Sequence, residues 1–552
     1  MCAVLAWQRL ASERALAEAR ERLLAGDAAT AAACLASVHW PGAGERVASA
    51  LALVDALEGR GQADGLAPAA LAGWDPETVL VAALSRGELA RAEALAALLA
   101  RSAHPLAAVY ESALRFERGD EAGARRLAAE SSVPLRARGP GARLAEALAA
   151  RDAGATSLLR DRRGELVATA DAAGRLQLAP AADAVAGEAV ARLQPSDGLD
   201  PARTQPAGAR GVRLTLDLDL GRVALAALEG FRGSIVLVEP RSGDVLAAVS
   251  DPLTLAREPA AAFEQRREPA SIAKLLTTAA AYRAGLDADA RIGQMSCAGV
   301  ERYGGQPLWC SWPAGPLAGL DHALAISCNV AFANLAQQVG RERLIEEYRR
   351  WGFDAGAEAL LGAAGRILSA PSTPRELASL GVGLDLVDVT PLHAALLAAV
   401  VGNGGRLPAP RLVVGSCGPL ALVDRPEAAV AGRPVLDAGT AARLRRAMAA
   451  VAERGTGAGL APPGFAVAMK TGTAATPRLG YHVNYVGVAP LPEASVAFCV
   501  RVTGPHSSAG ATAAGREVLR RLLAGLASRR PLLRALGRSA AGGPGPDPAP
   551  GH

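Results

Sequence analysis

Lysine is almost missing from this 552-residue chain: only Lys274 and Lys470 carry it, and every other basic residue among the 59 is arginine. Aromatic residues make up 3% against 50% hydrophobic residues overall, much of that alanine, a composition that favours extensive helix. No block of five or more basic residues occurs, and a net charge of +5 over this length is mild, which argues against a dedicated nucleic-acid surface. The cysteines at 2, 34, 297, 310, 328, 417 and 499 have neither the paired spacing of a zinc site nor a C-x-x-C redox motif. Cys297 and Cys310 bracket a Gly/Pro-containing segment; a disulfide there would imply an oxidising compartment, and two free thiols are the alternative. No apolar run reaches membrane-spanning length, and Met1 to Trp7 is too short for a span or a signal peptide. That start is read either as a cytoplasmic protein or as a late start codon that has lost an upstream anchor.

In a chain this biased toward arginine, an ordinary surface cation would be arginine, so the two lysines stand where chemistry needs a compact cation that can lose its proton. Lys274 lies in Glu268 to Gly285, EPASIAKLLTTAAAYRAG, which predicts one helix, begun at Pro269 to Ser271 and ended at Gly285. Its interior is apolar on all sides, the pattern of a buried helix, interrupted by Ser271 and Lys274. Three positions apart, these share a face. Burial lowers an ammonium pKa, and a neutral amine beside a serine hydroxyl is a nucleophile with its base.

Residues 1–152 read as alanine-rich helical repeats. Gly26-Asp27, Gly87-Glu88 and Gly119-Asp120 are each followed by a small residue, Ala31, Ala92 and Ala124, five places after the glycine. Glycine ending one helix and an acidic cap opening the next resembles tetratricopeptide-type repeats, an N-terminal α-solenoid that serves as a protein-docking surface or a helical spacer. Residues 153–211 read as a linker or pedestal around a hairpin. Residues 212–527 read as the main α/β domain, and 528–552, rich in Pro and Gly near the end, as a disordered tail. Within the main domain, Ser234 to Ser250 predicts a strand-turn-strand hairpin, a mostly helical insertion runs from about 280 to 455, and three antiparallel strands end at a helix from Ala511 to Leu526.

Two more motifs lie in this domain. Ser327-Cys328-Asn329 sits between apolar helical segments, where a short turn would project Ser327 and Asn329; an ordinary helix cap is the other reading. Lys470-Thr471-Gly472-Thr473 ends a strand. S-x-x-K, S-x-N and K-T-G in this order resemble the penicillin-binding proteins and serine β-lactamases. LTLDLDL at 214–220, the VEPRSGDVLAAVSDP hairpin, ALAISCNVAFANL and the segment from Gly383 to Gly405 resemble the transpeptidase domain of penicillin-binding proteins.

That resemblance implies a five-stranded antiparallel sheet flanked by helices, with an all-helical subdomain. It implies that Ser271 attacks the D-alanyl-D-alanine bond of a peptidoglycan stem peptide, forming an acyl-enzyme, with Lys274 as base and Ser327 relaying a proton to the leaving D-alanine. Lys470 would keep the local potential positive, and Asn329 would grip the substrate and Lys274. Lys470, Thr471 and Thr473 would bind the substrate's carboxylate end, Gly472 would let its strand approach, and the N–H groups of Ser271 and Thr473 would form the oxyanion hole. No metal or organic cofactor is implied. β-Lactams would be inhibitors, and the catalytic domain would lie in the cell envelope, outside the cytoplasmic membrane and membrane-associated through an anchor this sequence does not display. Alternatives are a D,D-carboxypeptidase or a non-catalytic β-lactam or muropeptide sensor or scaffold, with a β-lactamase a weaker fit because no ω-loop glutamate is evident. His322, His393 and His482 read as packed or capping residues.

Overall fold

The protein is described by a computed structural model that covers residues 211–539 except 357–358, 423, 477–479 and 505, together with 139–193, 106–131 and shorter stretches between 11 and 101. It divides into two compact units, one comprising Met1–Pro180, Gln194–Leu214 and Val413–Glu427, the other Ala181–Leu193, Thr215–Leu412 and Ala428–His552.

In the first unit, helices Leu89–Arg101, Ala107–Glu117, Glu121–Glu130 and Gly139–Asp152 pack around Leu95, Leu98, Leu99, Tyr110, Phe116 and Leu144. The Gly119-Asp120 turn works as its composition requires: Gly119 takes φ +89°, and the Asp120 carboxylate accepts from Gly123 N at 2.8 Å, capping the next helix. Ala31, Ala92 and Ala124 are all fully buried. Gly26-Asp27 and Gly87-Glu88 lie outside the described residues.

The segment read as a linker or pedestal around a hairpin contributes strands to a sheet. Its strands lie in the order Asp424–Pro426, Val413–Cys417, Gly211–Leu214, Ser157–Arg160, Leu166–Ala170 and Leu176–Leu178. Residues 413–427, inside the expected 212–527 domain, group with this first unit. Gly211–Leu214 leaves one edge open once it has paired parallel with Ser157–Arg160, and Val413–Cys417 fills it antiparallel. The Glu117 carboxylate fastens the same segment by accepting from Leu420 N at 2.8 Å and Leu422 N at 3.1 Å. Fully buried Arg160 donates to Pro419 O at 2.8 Å.

The second unit is built on five antiparallel strands: β1 (Gly233–Val238), β2 (Val245–Ser250), β3 (Ala468–Thr476), β4 (Gly480–Ala489) and β5 (Val496–Thr503). Their spatial order is β3-β4-β5-β1-β2, so β3 is an edge strand. Helices α1 (Lys274–Arg283), α2 (Asn329–Val339), α3 (Pro374–Val382), α4 (Pro391–Gly402), α5 (Ala438–Arg454) and α6 (Ser508–Ser528) surround it. Side chains alternate faces along β4, and the covering helices follow that alternation. Gly515 of α6 lies against Val483 and Tyr485, whereas Gly402 of α4 lies against Val488. With both faces covered, β1 and β2 are buried at every position, as is α4 from Pro391 to Val401. Helix Asp183–Val190, ahead of the expected domain start, also belongs to this unit.

A last helix, Arg530–Ser539, occupies the start of the expected disordered tail, because Leu533 and Leu536 find buried positions. Residues 540–552 lie outside the described residues. Among the described residues no helix is long and apolar enough to cross a membrane.

Candidate active site

Three pieces of chain far apart in sequence meet at the edge of the second unit's sheet. The first is a single 3-10 turn, Ala270–Ala273, that runs directly into α1. Where one uniform helix was expected, the turn is set by Ala270, held at φ +52°, a conformation unfavourable for alanine. Ala270 N donates to Gly383 O at 2.9 Å. Gly383 has φ +79°, and a Cβ there would fall 2.3 Å from Ala270 O, so only glycine lets α3 end this close to the turn. Ser271 is half-buried on the turn, and Lys274 opens α1 completely buried.

The second piece is the turn between helix Leu320–Ala325 and α2. Ser327 takes φ +58° and points into the site. The capping role belongs to its neighbour: Cys328 is the N-cap of α2, its Sγ accepting from Ala331 N at 3.4 Å. Asn329 is fixed at both ends of its amide, with Nδ2 donating to Trp309 O at 2.7 Å and Oδ1 accepting from Lys274 Nζ at 2.8 Å.

The third piece is β3. Lys470 is fully buried and donates to Ser327 Oγ at 2.9 Å and Thr471 O at 2.7 Å. Thr471 Oγ1 hydrogen-bonds Thr456 Oγ1 at 2.7 Å, and Thr473 is exposed. Gly472 is required by the protein itself, not only by an approaching ligand. A Cβ there would meet Pro269 O at 2.9 Å and Ser271 N at 3.3 Å.

Lys274 Nζ donates to Ser327 O at 2.6 Å, Ser327 Oγ at 3.2 Å and Asn329 Oδ1 at 2.8 Å. The expected direct bond to the Ser271 hydroxyl is absent, since these three acceptors already match the three donors of an ammonium. Burial, outweighing the nearby cysteines, pushes the Lys274 pKa down to about 7. Lys470 is also pushed down, first by burial and then by the charge of Lys274. A buried pair of amines sharing one hydroxyl thus favours losing a proton near neutrality.

A buried network supports the turn from behind. Glu268 O accepts from His482 Nε2 at 2.9 Å and Asn484 Nδ2 at 3.1 Å. Arg501, facing Asn484 across β4 and β5, donates to Asn484 Oδ1 at 2.7 Å, Gln265 O at 2.5 Å and Val389 O at 2.9 Å. Sequence reading missed Arg501, Asn484 and Gly383; nothing local distinguishes an arginine in a valine-rich strand from the chain's other arginines. His393 is packed, as expected: Nδ1 accepts from Gly365 N at 2.8 Å, so Nε2 donates to Trp351 O, also at 2.8 Å. Burial lowers the pKa of both His393 and His482 to about 4.

Cys297 and Cys310 are not bridged. Their sulfurs lie 3.5 Å apart, and Cys310 Sγ also lies 3.7 Å from Cys328 Sγ while accepting from Asn329 N at 3.1 Å and Val330 N at 3.3 Å. Shared between two neighbouring sulfurs and the amino end of α2, Cys310 has its pKa lowered to about 5, chiefly by the Cys328 thiol. Cys328 is pushed upward in turn by its hydrogen bond with Cys310.

Residues 233–524 match the sequence model of the family described as penicillin binding protein transpeptidase domain. Among curated proteins, a peptidoglycan D,D-transpeptidase PbpA of Mycolicibacterium smegmatis is 32% identical over 309 residues, covering 49% of this chain and 62% of the relative. A PbpA of Mycobacterium tuberculosis is 30% identical over 336 residues, covering 53% of this chain and 67% of the relative. The chain thus spans 62% and 67% of the length of these two curated relatives, less than two thirds of the first. Among solved structures, PBPA from M. tuberculosis aligns with TM-score 0.56 at 24% identity, over 68% of this chain and 99% of that one. A D,D-transpeptidase domain from Eggerthella lenta aligns with TM-score 0.57 at 21% identity, over 68% and 99%. These likenesses establish a shared fold.

Proposed function

The chain belongs to the penicillin-binding protein transpeptidase domain family, and from that premise we propose that it is a serine D,D-transpeptidase that cross-links peptidoglycan stem peptides. The observation that carries this reading is the convergence of both lysines of the chain on the Ser327 hydroxyl, beside the turn that presents Ser271.

In the proposed reaction Ser271 Oγ attacks the carbonyl of the D-Ala-D-Ala peptide bond while its proton passes to neutral Lys274. The N–H groups of Ser271 and Thr473 receive the developing oxyanion. Collapse of the tetrahedral intermediate breaks the C–N bond, and the departing D-alanine amine takes a proton relayed by Ser327, whose hydroxyl Lys470 and Lys274 polarise. An incoming amine then attacks the acyl ester, passing its proton back through Lys274 and regenerating Ser271. Lys470, Thr471 and Thr473 receive the substrate's terminal carboxylate, and Asn329 holds its backbone. The position of β3 at the sheet edge supports this assignment, because an extended peptide can add there as a further strand. β-Lactams would acylate the same serine.

We assign catalysis to residues 212–527 without the 413–427 excursion, and read the helices within 1–152 as a protein-docking surface or a helical spacer. Since peptidoglycan is assembled outside the cytoplasmic membrane, the catalytic unit is placed in the cell envelope, on its extracytoplasmic side.

The test is covalent labelling by a fluorescent penicillin. Stable labelling of wild type that Ser271→Ala abolishes is the expected result; an unlabelled, folded wild-type protein would overturn the reading. Incorporation of an added D-amino acid into a stem peptide separates the transpeptidase from a carboxypeptidase, which passes the acyl group to water alone.

A further inference from the structure

Cys328 joins Cys297 and Cys310, the pair the sequence had suggested, and the three cysteines gather beside the S-x-N turn. The Sγ atoms of Cys297, Cys310 and Cys328 all lie within 4.8 Å of one another. We propose that they form a three-thiolate site for a single thiophilic cation of the zinc class.

The geometry favours one metal over a disulfide. A disulfide needs sulfurs about 2.05 Å apart and leaves the third thiol unused. Two sulfurs bound at about 2.3 Å to one tetrahedral zinc lie roughly 3.8 Å from each other. The observed separations, 3.5 Å for Cys297 to Cys310 and 3.7 Å for Cys310 to Cys328, are close to that value. The third pair, Cys297 and Cys328, also lies within 4.8 Å, so one ion of this size can reach all three sulfurs after a small adjustment.

The surroundings are also those of a thiolate cluster. Cys310 Sγ accepts N–H groups from Asn329 and Val330, and Cys328 Sγ accepts one from Ala331, so the amino end of α2 is directed at the sulfurs. Such donors fix ligand orientation and offset negative charge on sulfur. Three thiolates around a divalent cation leave one net negative charge, which the N–H groups of Asn329, Val330 and Ala331 directed at the sulfurs offset. Cys297 and Cys328 are buried while Cys310 is partly exposed, which gives the ion a route in. Binding is acid–base chemistry only: each thiol gives its proton to solvent as its sulfur takes the metal, and nothing is oxidised.

The ligand set has a mechanical consequence. Cys328 stands between Ser327 and Asn329, so the ion would tie the S-x-N turn to the segment carrying Cys297 and Cys310.

The test titrates the reduced, full-length protein anaerobically with Co2+ as an optical stand-in for zinc, then displaces it with Zn2+. One equivalent with a sulfur-to-cobalt charge-transfer band is expected. Cys310→Ser and Cys328→Ser should each weaken binding by more than the about 10- to 100-fold that losing a supporting contact costs. Cys499→Ser should bind as wild type. Wild type should also melt at higher temperature with added Zn2+, a shift the Cys310→Ser variant lacks, which separates ligand loss from misfolding. Absence of the band in wild type, a band that survives Cys310→Ser, or a disulfide joining any two of the three cysteines in protein isolated anaerobically would each overturn the proposal.

Discussion

Lys274 and Lys470 meet at one atom: Ser327 Oγ accepts from Lys274 Nζ at 3.2 Å and from Lys470 Nζ at 2.9 Å. Both amines are fully buried, and among the described residues no carboxylate hydrogen-bonds or pairs with either. Two full charges around one neutral hydroxyl in a dry site repel, so the arrangement releases a proton readily.

The pH dependence of acylation follows from this. With the Lys274 pKa lowered to about 7, the neutral amine that can accept the Ser271 proton dominates above that value. Penicillin acylation rates should fall about tenfold per pH unit below roughly 7 and level off above it. The same shift affects stability. An unfolded lysine stays protonated to about 10.4. Between about 7 and 10, therefore, the unfolded chain binds more protons than the folded one, and stability should rise with pH. Denaturant melts across that window would show the slope; a flat rate profile from pH 5 to 9 would contradict the assignment of the base.

Replacing the base separates chemistry from folding. Lys274→Met keeps the side chain's length but leaves Ser327 O and Asn329 Oδ1 without their buried donor, so stability should fall by about 1–3 kcal/mol while the fold is kept. Acylation should drop by about 100- to 10,000-fold. Stopped-flow measurements beside thermal melts test both halves, and undiminished acylation would remove Lys274 from the mechanism.

Gly472→Ala and Gly383→Ala should damage the site from opposite sides. The first places a methyl 2.9 Å from Pro269 O, and the second places one 2.3 Å from Ala270 O at a φ of +79°. Each should cost about 1–3 kcal/mol by overpacking and slow acylation by displacing the Ser271 turn. Urea titrations give the energies. Gly285→Ala, whose Cβ would meet nothing within 4 Å, serves as a control in which only the backbone strain of its own positive φ is felt.

Arg501 should prove structural rather than chemical. Arg501→Met leaves Gln265 O, Val389 O and Asn484 Oδ1 without their buried donor, a loss of about 2–5 kcal/mol. Since Asn484 also holds Glu268 O, the acylation rate should fall along with stability. Unchanged stability in the variant would mean that water replaces the guanidinium.

What could be read in the sequence was local. Ser271 and Lys274 lie three residues apart, Ser327 and Asn329 two apart, and Lys470 to Thr473 are contiguous, so periodicity and composition marked each of them. Near-absence of lysine made two of these positions conspicuous. What escaped was tertiary. Cys328 joins Cys310 across 18 residues, and Arg501 reaches Gln265 across 236, distances over which this sequence held no pairing information. The Ser271 turn was read as plain helix because the positive φ at Ala270 is imposed by neighbours such as Gly383 and Gly472, not by alanine's own preference. The strand at Val413–Cys417 looked like part of a continuous domain for the same reason: its partner, Gly211–Leu214, lies some two hundred residues earlier.

That strand limits how the molecule can be cut. A recombinant fragment beginning after Leu214 would keep the five-stranded sheet and all three motifs, yet Val413–Cys417 would lose its antiparallel neighbour and present an unpaired edge. Leu420 and Leu422, with their N–H groups released from Glu117, would face water. A protease that cut just after Leu214 would therefore leave a catalytic unit prone to associate through Val413–Cys417, a strand about two hundred residues beyond the cut.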